Sequence, residues 1–302
     1  MTESLTTRLV VTGRARRDGI PAHRIREPLL RRIVLRSPVY LALIGASVLA
    51  VVPFLWMVIA STHTTSDLFV TPLPLLPGGE FWQNLGRLQA SIGFGQVMLN
   101  SVLVAVVYTV FSSIVSIMCG YGLATYRFRG RGILLGAILV TMMIPMQVLL
   151  VPLFQMMANA GWIDSYQALI VPFLANAFGI FLMRQGFLDF PVTLIEAARI
   201  DGANELRTFY RIVLPVARPQ IAALIIYTFI SQWNAFIWPL LMLNSEDRYT
   251  VPVALNTMIG LSHVDYSGLM LGSLLATLPL FVLFLVFQKQ FVAGLLGGAV
   301  KG

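Results

Sequence analysis

A helix needs about 20 mostly apolar residues to cross the hydrocarbon core of a bilayer. Six uncharged apolar runs of roughly that kind follow one another along the chain, at about 38–61, 97–126, 133–157, 168–183, 220–243 and 269–287. Each predicts a membrane-spanning helix, the run at 168–183 being the shortest. Prolines fall inside five of them, at Pro53, Pro145, Pro152, Pro172, Pro239 and Pro279. Each removes a backbone donor, so each is either an ordinary membrane-helix proline tolerated by its neighbours or a flexing point.

Composition agrees with a bilayer as solvent. The 302 residues are 57% hydrophobic and only 11% charged, with mean hydropathy +0.81, well outside soluble composition. The positions of the cations predict an orientation, because cytoplasmic loops retain Lys and Arg. With the N-terminus inside, all of the 21 Lys and Arg except Arg87 and Arg248 fall in cytoplasmic segments. The sequence therefore predicts an all-α polytopic membrane protein of six transmembrane helices with both termini cytoplasmic. It divides into an Arg-rich arm at 1–37 and a transmembrane domain at 38–302. The arm is expected to be poorly ordered and to touch anionic lipid headgroups. The first apolar run is too long, and begins too late, for a secretory signal peptide, so it is expected to stay uncleaved.

The net charge of +8 raises nucleic acid as a partner, but the cations sit in short segments between apolar runs and not on one basic face. Ten of the acidic residues, Asp67, Glu80, Asp164, Asp189, Glu196, Asp201, Glu205, Glu246, Asp247 and Asp265, lie between the runs, and the rest lie in the arm. No carboxylate, lysine or histidine occupies the centre of a predicted span. Ion-coupled carriers commonly keep such groups as relays or ligands, so coupling to protons or sodium is disfavoured. Cys119, the single cysteine, reads as a small packing residue, and His23, His63 and His263 are too scattered for a metal or catalytic cluster. No phosphate-binding Gly-x-x-x-x-Gly-Lys-Ser/Thr loop exists, the only lysines being Lys289 and Lys301.

The long internal segment 184–219 reads RQGFLDFPVTLIEAARIDGANELRTFYRIVLPVARP. Pro191 sets its entry, and Thr193 with Glu196 has the spacing of a capping box. Gly202 is expected to break a first helix, and Asn204 to cap a second that Pro215 stops at Leu214. Small Ala197, Ala198 and Gly202 would let another backbone approach, with Glu196 and Arg199 available for charged contacts. The plainer alternative is that Glu196 only caps its helix and Gly202 only ends it.

Glu196-Ala197-Ala198, three residues, Gly202, nine residues, Ile212, one residue, then Leu214-Pro215 matches the EAA loop of permeases from binding-protein-dependent ABC importers. The chain resembles that family over roughly 38–302, and most closely its maltose-type carbohydrate branch. Asp201-Gly202-Ala203, Gln232-Trp233-Asn234 and the tail from Phe291 to Gly302 support the match. The resemblance implies a type I importer permease fold in which the loop is a coupling helix docked on a cytoplasmic ATPase. It also implies that Lys301 and Gly302 reach that ATPase. The implied partners are a second, different permease, two ATPase subunits and an extracytoplasmic sugar-binding protein. ATP and Mg would be bound by the ATPases, leaving this chain without cofactor or catalytic residue.

Sugar hydroxyls favour amide partners and sugar rings stack on aromatics. Candidate path residues are therefore Asn176, Gln232, Trp233, Asn234 and Trp238. The alternative is that Trp238 anchors at an interface and Asn234 bonds to a neighbouring helix. The segment 244–265 and the prolines Pro72, Pro74 and Pro77 are expected to face the binding protein, or else to be plain connectors. Rival readings are an importer of the same class for a glycerol-phosphate-type or polyol cargo, a stand-alone secondary carrier or channel, and a membrane enzyme. A phosphorylated cargo would favour an arginine in the cavity, and no predicted span carries one; a carrier or channel leaves the EAA loop without purpose, and no acid, base or metal cluster supports an enzyme.

Overall fold

The computed structural model describes the backbone of residues 29–260 and 264–299, and the side chains of 38–191, 193–260 and 264–289. His23 and His263, Lys301 and Gly302, and most of the arm lie outside these. The chain divides into two compact units, Met1–Val52 and Pro53–Gly302. All regular structure among the described residues is helical.

Helix α1 (Leu29–Ala60) takes in residues 29–37 of the expected arm together with the first apolar run. In the second unit follow α2 (Phe81–Ile92) and the 32-residue α3 (Phe94–Thr125). Next come α4 (Arg131–Met143), α5 (Met146–Asn159), α6 (Tyr166–Ile170) and α7 (Ala177–Leu188). The loop region holds α8 (Val192–Ile200), α9 (Glu205–Thr208) and α10 (Leu214–Val216). After it come α11 (Arg218–Trp233), α12 (Ile237–Met242), α13 (Val251–Thr257) and α14 (Tyr266–Ala299).

Among the described residues, three helical stretches are singly long and apolar enough to span: Pro38–Ala60, Phe94–Thr125 and Tyr266–Lys289. Six is reached if each of three bent pairs is one span. The sharpest bend, 101° between α4 and α5, falls at Ile144–Pro145. A residue before proline is pushed out of the α region, and Ile144 is extended, with φ −82° and ψ 117°. Pro53, Pro152 and Pro279 sit within continuous helices instead. The fourth predicted run is bent by 42° ahead of Asn176. The fifth is interrupted between Trp233 and Ile237, because α11 ends and α12 starts afresh.

Helix α3 is the central strut, packed along α7 and α11, while α14 packs on α11 and α2. Small residues permit the close approach of α3 and α7. A Cβ at Gly120 would lie 2.7 Å from the Met183 Cβ and 2.8 Å from the Arg184 backbone N, and one at Gly179 would lie 2.6 Å from Ser116 Oγ. Cys119, expected to pack, lies on the exposed outer side of α3. Its neighbour Gly120 takes the packed position, since adjacent residues on a helix point about 100° apart.

Candidate functional site

The region 184–219 is not one long loop. Helix α7 runs on to Leu188 and carries Arg184, and α11 already begins at Arg218. Between them, α8 begins at Val192 with Pro191 as its N-cap and no side-chain capping bond. The predicted capping box is therefore absent: Thr193 sits inside the first turn, too late to receive the end N–H groups. The stop is as expected. Gly202 adopts φ +76°, its N–H donates to the Arg199 carbonyl (3.1 Å), and Ala203 N–H donates to the Ala198 carbonyl (2.9 Å). These are the paired bonds of a Schellman closure, which favours glycine at that position. No atom of this chain lies within 4 Å of where a Gly202 Cβ would be, so within the chain glycine serves backbone conformation there.

Asn204 caps α9, its Oδ1 accepting from Arg207 N–H at 2.8 Å. The second helix is not stopped by Pro215. It passes through a π turn at Phe209–Val213 into α10 and ends after Val216. Pro215 cannot donate to the carbonyl four residues back, and the wider turn preceding it breaks the α pattern that would need that bond. A 77° bend then leads into α11.

Behind this helix–turn–helix lies a core that the motif does not mark. Ile195, Val213 and Ala217 pack with Tyr121, Met183, Phe187, Phe190 and Leu224, and Ile212 rests against them. On α8, Ile195 faces this core and Ala198, three residues on, is buried, while Glu196, Ala197, Arg199 and Ile200 are exposed. Ile200 is 86% exposed and Leu206 68%. Arg199 pairs with Glu205 at 2.8 Å, and the Tyr126 hydroxyl donates to the second Glu205 oxygen at 3.1 Å. With both charges about half exposed, the pair contributes at most about 1 kcal/mol and chiefly sets geometry. Sequence reading missed Glu205 and Tyr126, although charge complementarity six residues apart across a glycine turn was the available signal.

The candidate path residues differ in how their polar groups are engaged. Asn176 caps α7, its Oδ1 accepting from Gly179 N–H at 2.7 Å and its Nδ2 donating to the Tyr108 hydroxyl at 3.3 Å. Trp233 donates its indole N–H to the Ala276 carbonyl (3.2 Å) and stacks on Phe229; Trp238 donates to the Ala168 carbonyl (2.9 Å). Both rings are buried, so their polar edges are committed to helix packing. Asn234 is exposed and bonds back to the Ile230 carbonyl, and Gln232 is half-buried. Tyr227, half exposed and 4.4 Å from Phe178 between ring centroids, adds an aromatic pair that the sequence reading passed over.

On the opposite end of α3 the loops are stitched by polar side chains. Asn100 Nδ2 donates to the carbonyls of Asp247 (2.8 Å) and Tyr249 (3.0 Å), and Ser101 Oγ accepts from Val251 N–H (2.7 Å). Asp164, in the left-handed region at φ 59°, accepts from the N–H groups of Asn244 and Ser245 and from the Ser245 hydroxyl, and pairs with Arg248. Burial pushes the Asp164 carboxyl up, but those hydrogen bonds and Arg248 outweigh it and hold it below its ordinary value. A carboxyl lowered on folding stabilises above its unfolded value, and the stabilisation is lost as pH falls through the folded one. Asp164→Asn should therefore destabilise by about 1–3 kcal/mol at pH 7. The gap to the parent in thermal midpoint should shrink below the ordinary carboxyl value of 3.8.

Residues 112–296 match the model of the binding-protein-dependent transport system inner membrane component family, which includes the whole helix–turn–helix. The chain belongs to that family. As an inner membrane component of an ABC importer it is a multi-pass membrane protein and a transport subunit. It is 36% identical to the lactose transport system permease protein LacG of Rhizobium radiobacter, over 85% of this chain and 94% of LacG. It is 39% identical to the arabinooligosaccharides transport system permease protein AraQ of Bacillus subtilis, over 67% and 72% respectively. Identity to the sn-glycerol-3-phosphate transport system permease protein UgpE of Yersinia pestis is 35%, over 85% and 94%. Among solved structures, a bacterial ABC transporter involved in importing the acidic polysaccharide alginate superposes with TM-score 0.73 at 25% identity, covering 86% of this chain and 97% of the other.

Proposed function

We propose that this permease forms one half of the membrane pathway of a sugar importer, pairs with a second permease, and docks two ATPase subunits through the Glu196–Pro215 loop. It spans six times with both termini cytoplasmic, and an extracytoplasmic sugar-binding protein delivers the cargo. ATP and Mg are bound by the ATPases, whose closure moves α8. The reading is carried by one observation, the exposed Ile200 on a helix anchored from behind by Ile195 and Ala198. A large aliphatic side chain held out on a rigid, capped helix suits insertion into a partner's pocket. Lys301 and Gly302 would add a tail contact. Lactose and arabinooligosaccharides, named for the relatives, favour a saccharide. The amides of Asn176, Gln232 and Asn234, with Tyr227, are the groups offered to its hydroxyls; Trp233 and Trp238 shape the path from behind.

A second reading, a phosphorylated glycerol cargo, is favoured by two observations: the UgpE relatives and Arg184, whose half-buried guanidinium Nε has no hydrogen-bond partner in the structure. Uptake of labelled disaccharide against labelled glycerol phosphate by the reconstituted system separates the two.

The docking reading is tested by purifying the complex through this chain in mild detergent. Ile200→Glu and Gly202→Arg are each expected to lose the ATPase while keeping the second permease. Retention of the ATPase by both variants would show that α8 is not the docking element.

A further inference from the structure

A cavity of about 370 Å³ lies where the ends of α3 and α7 meet α8, a size in the range of small-molecule sites. Arg127 from the turn after α3, Arg131 at the start of α4, and Arg199 from the last turn of α8 line it, and no carboxylate among the described residues does. Arg199 is neutralised by Glu205. Arg131 makes only a 3.4 Å bond to the Tyr126 carbonyl, and Arg127 has neither hydrogen bond nor ion pair among the described residues. Two guanidinium charges therefore remain uncompensated in one concave site. Tyr121, which lines this cavity and the neighbouring one beside Glu205, has a buried hydroxyl that completes no hydrogen bond. Buried polar groups normally find a partner, so this donor points to a missing acceptor.

The remaining wall is apolar, from Phe187, Leu188, Phe190, Ile195 and Val213. Leu188 is 46% exposed, and Ile133 and Leu134, on the helix that starts at Arg131, are exposed beside it. Cationic head and apolar flank at the end of a membrane span suit an amphiphilic phosphate ester. A soluble anion would leave the apolar side unused.

We infer that this cavity is a binding site for the phosphate headgroup of an anionic phospholipid, and that the bound lipid braces the α8 turn against α3 and α7. Basic pockets between membrane helices bind such headgroups, and arginine engages phosphate through two parallel N–H bonds. Arg127 and Arg131 hold the phosphoryl oxygens, and Tyr121 donates its hydroxyl to one of them. The inference uses this chain's own geometry and needs neither the cargo nor the ATPase docking proposed above.

The test uses the transporter complex, purified through this chain and placed in nanodiscs of phosphatidylcholine alone or with 20% phosphatidylglycerol, an amount of about one lipid in five chosen to saturate a specific site. Hydrogen exchange should slow in 121–131 and 192–202 only with phosphatidylglycerol. Inorganic phosphate added to phosphatidylcholine discs should give no protection, which separates a lipid from a free anion. Native mass spectra of the parent should carry a retained phosphatidylglycerol that the double variant R127Q/R131Q loses and R127K/R131K partly keeps. Equal protection in both discs, protection by phosphate alone, or undiminished lipid retention by R127Q/R131Q would overturn the site. Loss of the ATPase from that variant with its lipid still bound would likewise overturn it, marking the cavity as part of the docking surface.

Discussion

Replacing Gly202 by valine is expected to abolish transport in the assembled complex while leaving the chain in the membrane at near-parental amounts. The residue occupies φ +76° with open space around the position of a Cβ, so no collision is created within the chain and the effect on it is one of backbone conformation. A β-branched residue held in the left-handed region costs about 1–2 kcal/mol. That is enough to reduce the population of the closed turn about 5–30-fold. The chain then relieves the strain by giving up the bonds to the Arg199 and Ala198 carbonyls, and the end of α8 that presents Ile200 frays. Asparagine tolerates the left-handed region, so Gly202→Asn should retain most activity and Gly202→Ala should fall between. Measuring ATP hydrolysis stimulated by loaded binding protein across the three variants checks this order. Equal activity for Val and Asn would mean that the turn is not what the position supplies.

A second large effect is expected at Gly120. A methyl group there would stand 2.7 Å from the Met183 Cβ, 2.8 Å from the Arg184 N and 3.1 Å from the Ile180 carbonyl oxygen. Backbone atoms cannot swing aside as a side-chain tip can, so α3 and α7 must separate, and overpacking of this kind costs about 1–3 kcal/mol. Separation would also disturb Tyr121, Met183 and Phe187, the core on which α8 rests, so coupling should fail together with stability. Gly122, two residues along the same helix, has nothing within 4 Å of its Cβ position. Gly122→Ala should be neutral or stabilise by up to about 1 kcal/mol through helix propensity. Fluorescence-detected size exclusion after graded heating should show an earlier loss of the Gly120→Ala peak and none for Gly122→Ala.

The contrast between these two glycines shows how far reading residues in order can reach. Gly202 is legible because its role is local: it follows a run of helix formers, precedes a capping asparagine, and fixes one turn whose bonds lie within six residues of chain. Gly120 is not legible, because what makes it necessary is Met183 and Arg184, some sixty positions away, brought to α3 by packing. The same division holds elsewhere. Asn204 as a cap could be expected from its neighbours, whereas the capping box at Thr193 failed because Pro191 starts the helix two residues earlier.

Trp233 and Trp238 suggested sugar contacts by type, yet each indole N–H reaches a carbonyl on a distant segment, Ala276 and Ala168. Composition and the spacing from Glu196 to Pro215 were enough for the membrane environment, the family and the position of the Gly202 turn. Those follow from the solvent that each segment requires and from backbone geometry within a few residues. Tertiary structure alone decided which helices bend, which glycines are packed, which aromatics are committed and where three arginines enclose a cavity. Each of these depends on atoms that meet only after the helices have packed together.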